Sequence, residues 1–262
     1  MGAITQVLVQ FVFRLSFGLA VSMGITPSRL VTSGFYRVHL WVIMGLNTFA
    51  ALAVYSARNQ LDTPLAGWNW QFRLAVTLAI LSYVGAVIWL YEAKRVGSAA
   101  LAVIAVVSLL TAMVSTTFPT GELAATLTSL DILAGGMSLG LTMAAMLLGH
   151  WYLNTPTMQL APLKRLILLM GIFLVGRAIL AAIGLTLHYR ASDEVNTTFW
   201  VFIVFRWLAG ILGPLLMARM AWITLKIPNT QSATGILYTG VILVFLGELV
   251  SQLLSADALF PV

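Results

Sequence analysis

The chain has 262 residues, of which 60% are hydrophobic and only 8% are charged, and its formal net charge is +6. A soluble domain carries about 25% charged residues. The composition therefore excludes a soluble globular protein and predicts an all-α integral membrane protein whose outer surface faces lipid. The chain contains no Cys, which excludes disulfides, thiol catalysis and Cys-ligated iron–sulfur clusters.

Eight apolar segments follow one another along the chain, and each is long enough to cross a membrane, which takes roughly 20 apolar residues. We predict transmembrane helices at 3–24, 34–57, 68–92, 97–118, 128–153, 162–189, 197–224 and 231–256. These helices use almost the whole length, so we expect one polytopic domain, 1–262, in the cell inner (plasma) membrane. Pro214 falls inside the seventh segment after Gly210 and Gly213, and we expect it to kink that helix.

The distribution of charged residues predicts the orientation. Eight Lys or Arg residues lie in or beside the odd-numbered loops and three lie in or beside the opposite loops, whereas acids such as Asp131 lean to the side with fewer basic residues. The positive-inside rule places the odd-numbered loops in the cytoplasm and both termini outside. This bias, rather than nucleic-acid binding, explains the basic net charge. The cytoplasmic residues are Arg29, Arg37, Lys94, Arg95, Lys164, Arg165, Arg219 and Lys226, and those opposite are Arg58, Arg73 and Arg190.

Matched residues in the third and seventh segments indicate an internal repeat. In both segments an Arg is followed 16 residues later by a Trp: Arg73 with Trp89, and Arg206 with Trp222. Arg is rare inside membrane helices, so a matched Arg is more informative than a matched Leu. We predict a parallel 4+4 repeat over residues 1–120 and 121–262, related by an axis along the membrane normal.

Four ionisable residues lie at membrane depth, where each is costly and usually faces the bundle interior. Arg206 and Glu248 fall in the outer halves of consecutive segments, so we predict a buried structural ion pair between them, with a proton or ion path as the alternative. Arg14 and Arg177 have no evident acidic partner in the sequence. They indicate an anionic ligand, such as a lipid phosphate, a haem propionate or a transported solute; backbone carbonyls and water are the alternative partners.

Two histidines are candidate ligands for a haem b. His39 lies about five residues into the second segment and His150 about three residues from the end of the fifth, so both lie roughly 5–8 Å from the predicted cytoplasmic interface at 1.5 Å per residue. Two imidazoles at one depth can ligate a haem iron axially, with Arg29, Arg37 or Arg14 reaching the propionates. The alternative is that His150 belongs to the aromatic belt of the interface.

A polar and aromatic cluster surrounds His150 at the end of the fifth segment. It includes Trp151 and Asn154. Ring-stacking and hydrogen-bonding groups of this kind suit a quinone headgroup, and they equally suit an ordinary membrane interface.

No metalloprotease HExxH motif and no P-loop occurs in the sequence, and these would have indicated an enzymatic reaction. We expect the membrane subunit of a redox complex that binds haem b or a quinone near the cytoplasmic face. The alternatives are a transporter or channel for an anionic or amphipathic solute, with Arg14, Arg177 and Arg206 along its path, and a structural, lipid-binding subunit. The expected partners are membrane lipids and other membrane or redox subunits, and no nucleic acid.

Overall fold

The structure is a computed structural model that describes residues 3–58, 68–155, 158–191, 197–227, 229–258 and 260–261. Within these residues every regular element is a helix. Eight helices in the described residues are long and apolar enough to cross a membrane, as the sequence predicts. The chain divides into two compact units, unit 1 (Met1–Thr116) and unit 2 (Thr117–Val262).

Unit 1 is a bundle of four helices. Each helix packs against the next one in the chain, and the first also packs against the fourth. The helices are α1 (Ala3–Ile25), α2 (Ser33–Arg58), α3 (Trp68–Leu90) and α4 (Lys94–Val114). The turn between α3 and α4 is shorter than the sequence predicts, because Glu92 adopts a positive φ of 57° and reverses the chain within three residues.

Trp89 anchors the end of unit 1 at which α3 meets α4. Its ring stacks on Tyr36, with ring centroids 4.0 Å apart, and the Tyr36 hydroxyl donates to the carbonyl of Thr26 at 2.8 Å. A Cβ at Gly97 would lie 2.6 Å from the Trp89 ring. The start of α4 can therefore pack on the indole only because residue 97 has no side chain.

Unit 2 also contains four membrane-spanning segments. The first two are α5 (Glu122–Asn154) and α6 (Ala161–Ala191), and the fourth is α9 (Thr230–Asp257). The third consists of three consecutive pieces: α7 (Thr197–Trp207), a π-helical segment (Leu208–Leu212) and α8 (Gly213–Thr224). The helix α5 packs against α6 and α9, and α9 also packs along α7, the π-helical segment and α8.

The third span of unit 2 is irregular where the sequence predicts a kink. The Gly213 N–H donates to the carbonyl of Leu208, five residues earlier, and Pro214 lies in the first turn of α8. Proline has no N–H to donate to the preceding turn, and a π-helical segment is one way in which a helix absorbs such an interruption. A Cβ at Gly210 would lie 2.9 Å from the Gly247 Cα, so α9 packs closely against this segment.

The helix α5 begins at Glu122, six residues before the predicted start at 128, and follows Gly121 with a φ of 117°. Its first turns contain polar residues, so the apolar segment in the sequence begins later than the helix does. As a result, Asp131, which the charge bias places toward the outer side, lies well inside the helix and is only 5% exposed.

The residues that suggest the repeat lie in unlike surroundings. Arg73 is exposed, whereas Arg206 is buried. Trp89 is 1% exposed, whereas Trp222 is 37% exposed. Each unit contains four spans, as a 4+4 repeat requires, and the repeat itself stays a prediction.

Candidate functional site

A buried ion-pair network joins three helices of unit 2. The Arg177 side chain of α6 places Nη2 2.5 Å from Glu248 Oε2 of α9 and 3.5 Å from Asp131 Oδ1 of α5. The side chains of Arg177, Asp131 and Glu248 are 5%, 7% and 2% exposed, respectively. One guanidinium nitrogen therefore serves two carboxylates that have almost no access to solvent or lipid.

Two polar side chains on α9 extend this network. Arg177 Nη2 donates to Ser251 Oγ at 3.3 Å, and Gln252 Nε2 donates to Glu248 Oε1 at 2.8 Å. Both Glu248 oxygens are therefore engaged, one by a cation and one by a neutral amide. We call Asp131, Arg177, Glu248, Ser251 and Gln252 the charge cluster.

Gly135 provides the space that the charge cluster occupies. It lies one helical turn after Asp131 on α5, and a Cβ at this position would lie 2.9 Å from Glu248 Oε2 and overlap with Arg177 Nη1. Only glycine lets the guanidinium lie against the α5 backbone. Residue 135 is thus part of the site, although no sequence pattern singles it out.

The charge cluster lies deep within the spans. Asp131 is nine residues from the start of α5 and Glu248 nine residues from the end of α9, which corresponds to about 13 Å along either helix. Charged side chains at such depth are stabilised by mutual pairing, and they commonly mark ion pathways or proton relays. The arrangement can hold a proton on either carboxylate and can offer a guanidinium to an anion.

Two expectations from the sequence concern the pairing of the buried arginines Arg177 and Arg206. The view that Arg177 lacks an acidic partner is wrong, because it contacts both Asp131 and Glu248. Arg206 lies on α7 and is 2% exposed. The helices α7 and α9 pack together through Ile203 and Val250, and the pairing of Arg206 with Glu248 stays a prediction.

The candidate haem residues of unit 1 lie on α1 and α2, and two of them, Arg14 and His39, are buried. His39 is 4% exposed, its ring lies 4.4 Å from that of Phe35, and Nδ1 lies 2.6 Å from the Phe35 carbonyl. A carbonyl only accepts, so Nδ1 carries the proton and donates. Arg14 is 6% exposed and Arg37 is half-buried.

The other candidate histidine lies in unit 2. His150 is exposed near the end of α5, and its Nδ1 lies 3.4 Å from the Tyr238 hydroxyl of α9. Trp151 beside it is half-buried and Asn154 is exposed. His39 and His150 belong to different units, and a haem shared between them stays a prediction.

The helix α5 contains a sequence that matches the nucleophile motif of serine hydrolases, but its structural surroundings differ from those that the motif requires. Residues 136–140 read Gly-Met-Ser-Leu-Gly and fit G-x-S-x-G, the pattern of a hydrolase serine at a sharp turn from a strand to a helix. Here Ser138 lies in the middle of a continuous helix and is 1% exposed. The match therefore reflects the packing of small residues in a membrane helix.

Within the described ranges of the chain, no group of three or more His, Asp or Glu side chains is placed to hold a metal ion. The described part of the chain combines eight helices long and apolar enough to cross a membrane, as is typical of a multi-pass membrane protein, with a charge cluster buried in the second unit. Comparison of the chain with protein-family models, curated protein sequences and solved structures gives no match.

Proposed function

We propose that the chain is a membrane transport protein, and that the charge cluster of unit 2 moves an anionic solute together with a proton. The observation that carries this proposal is the sharing of one buried guanidinium nitrogen by Asp131 and Glu248. A purely structural pair needs one carboxylate, whereas a second carboxylate on the same cation provides a place for a proton that can come and go.

The coupling follows from competition for Arg177. While Asp131 and Glu248 are ionised, they occupy the guanidinium and keep an anion from binding it. A proton on Glu248 leaves Arg177 paired with one ionised carboxylate instead of two, and the solute anion takes the place of the carboxylate that was neutralised. The anion therefore binds together with the proton, because an anion beside two ionised carboxylates on one guanidinium would add a third negative charge at membrane depth, which is costly.

Purified protein reconstituted into vesicles tests the proposal. Vesicles loaded with a pH-sensitive dye are diluted into acidic buffer that contains chloride, phosphate or succinate as the probe anion. We expect wild-type protein to take up protons faster in the presence of at least one of these anions than protein-free vesicles do. Glu248→Gln, which keeps the shape of the side chain and removes the proton site, abolishes the anion-dependent uptake.

The matched control is Glu92→Gln, because Glu92 is an exposed carboxylate in the turn between α3 and α4. Its uptake rate should equal that of the wild type. Equal uptake by Glu248→Gln and wild type, or no anion-dependent uptake by the wild type, would contradict proton-coupled transport. It would favour a structural role for the charge cluster.

A redox subunit is the second candidate, favoured by the contact between His150 and Tyr238. An imidazole next to a phenol at one end of unit 2, with Trp151 beside it, offers a proton donor and an aromatic surface to a quinone headgroup. For haem b, a His39 ring whose Nδ1–H bonds a carbonyl has the orientation common among metal-ligating histidines.

Absorbance and quinol oxidation separate the two redox versions. A haem gives a Soret band in the purified protein that His150→Ala removes and His188→Ala retains. A quinone site gives no such band but loses quinol oxidation in His150→Ala. Colourless wild-type protein whose electron transfer does not depend on His150 would reject both.

A further inference from the structure

An apolar groove runs along the outside of unit 2 between α6 and α8. It has a volume of about 500 Å³ and is lined by side chains such as Ile172, Val175 and Leu215. Gly171 forms part of its floor, and a Cβ there would meet nothing within 4 Å. The missing side chain keeps the groove open where most helix positions would fill it.

The length of the groove corresponds to one leaflet of a membrane. On α6 it extends from Ile167 to Val175, nine residues whose ends lie about 12 Å apart along the helix. The hydrocarbon core of a bilayer is about 30 Å thick, so one leaflet contributes roughly 15 Å. A single acyl chain that enters from the interface therefore matches the groove in length and polarity.

One end of the groove is cationic. Arg219 and Trp222 of α8 line it close to the end of that helix. Arg219 is exposed, and among the described residues it has no ion-pair or hydrogen-bond partner. An arginine that lines an apolar groove without a protein carboxylate presents its planar donors to an anion outside the protein.

Further positive charge lies at the same end of unit 2. Arg165 is exposed near the start of α6, and Lys226 is exposed just after α8. In the described part of this end, the loop and helix residues next to them carry no acid. The sequence predicts that this end faces the cytoplasm, where anionic lipids attract basic residues at membrane surfaces.

We propose that this groove is a binding site for one anionic phospholipid. An acyl chain lies along α6 over Gly171, the phosphate is held by Arg219, and Trp222 packs at the level of the glycerol backbone, as aromatic residues do at interfaces. Charge complementarity selects an anionic lipid, because a zwitterionic headgroup places a second, positive charge among Arg165 and Lys226. The site is separate from the charge cluster and independent of the proposed transport.

Native mass spectrometry of purified protein tests this proposal, with equal amounts of phosphatidylglycerol and phosphatidylcholine as competing probes. We expect wild-type protein to retain one phosphatidylglycerol in preference to phosphatidylcholine. Arg219→Gln should weaken that retention about fivefold, the effect of one basic residue near an anionic lipid surface. Gly171→Leu should weaken it at least as much, because the leucine side chain fills the groove.

Two matched variants act as controls. Arg95→Gln removes an exposed cation from unit 1, and Gly45→Leu adds the same side chain at a glycine that also has nothing within 4 Å of its Cβ. Both should retain phosphatidylglycerol as the wild type does. If Arg95→Gln weakens retention as much as Arg219→Gln, the preference is general attraction to positive charge and the proposal fails.

Three other results would also overturn the site. Equal retention of the two lipids by the wild type removes the basis for anionic selectivity. Unchanged retention of phosphatidylglycerol by Gly171→Leu would show that no acyl chain lies in the groove. A change of oligomeric mass in Gly171→Leu identifies a second copy of the chain as the occupant. If Gly171→Leu does not yield folded protein, the retention measured for Arg219→Gln still tests the proposal, because Arg219 is exposed and its replacement does not disturb the core.

Discussion

Replacement of Gly135 by alanine is the most direct test of the charge cluster. The added Cβ would lie 2.9 Å from Glu248 Oε2 and overlap with Arg177 Nη1. The atoms that the Cβ meets are the ends of two flexible side chains, so the overlap is relieved by a shift of the guanidinium and the carboxylate, which disturbs their contact. We therefore expect Gly135→Ala to destabilise the protein although alanine favours helix.

The magnitude follows from three contributions. Overpacking of a filled site costs about 1–3 kcal/mol, and complete removal of one partner of a buried ion pair costs about 3–5 kcal/mol, which is an upper limit here because both partners stay in place. Alanine returns about 1 kcal/mol through its higher helix propensity. Arg177 can keep part of its pairing by a small rotation, so we expect a net loss of at least about 2 kcal/mol in the free energy of unfolding.

Unfolding in mixed micelles of a mild detergent and SDS measures this loss. Gly176→Ala is the matched control, because Gly176 precedes Arg177 on α6 and a Cβ there meets nothing within 4 Å. This variant should be as stable as the wild type, or more stable by up to about 1 kcal/mol. A Gly135→Ala protein as stable as Gly176→Ala would refute the packing argument.

A double-mutant cycle then identifies the interaction that is lost. Gly135→Ala and Glu248→Gln both disturb the contact of Arg177 with Glu248, so the double variant should lose less stability than the sum of the two single losses. Additive losses would mean that Gly135→Ala acts on something other than this ion pair.

Three further predictions concern close contacts and orientation. Gly97→Ala should cost about 1–3 kcal/mol of stability in the same unfolding assay, because its Cβ lies 2.6 Å from the Trp89 ring. Gly247→Ala should cost at least as much, because its Cβ overlaps with the backbone of Gly210, which cannot rotate away as a side chain can. A reporter enzyme fused after Arg165 should report a cytoplasmic location, from the positive-inside rule.

Each of the two glycine substitutions has its own control. Gly24→Ala in unit 1 and Gly235→Ala in unit 2 place a Cβ where nothing lies within 4 Å, so neither should lower stability. If these controls lose as much stability as Gly97→Ala or Gly247→Ala, the destabilisation comes from replacing a glycine as such and not from the close contact. A fusion after Arg165 that is active only outside the cell would reverse the predicted orientation.

Much of the fold follows from the sequence alone. Long apolar segments separated by polar turns predict eight spans, because a helix is the simplest way to satisfy backbone hydrogen bonds in lipid. The break in the seventh segment follows from Pro214, which cannot donate an N–H. The sequence does not distinguish a kink from the π-helical segment that the structure contains, in which Gly210 packs closely against Gly247.

The composition of the charge cluster was decided only by the tertiary structure. The sequence identifies Arg177 and Glu248 as costly residues at membrane depth, but it does not show that they meet, or that Asp131 joins them. These spans are apolar on nearly every face, so no amphipathic stripe tells which side of each helix turns inward. The packing of α5, α6 and α9 fixes those rotations, and with them the guanidinium nitrogen that two carboxylates share.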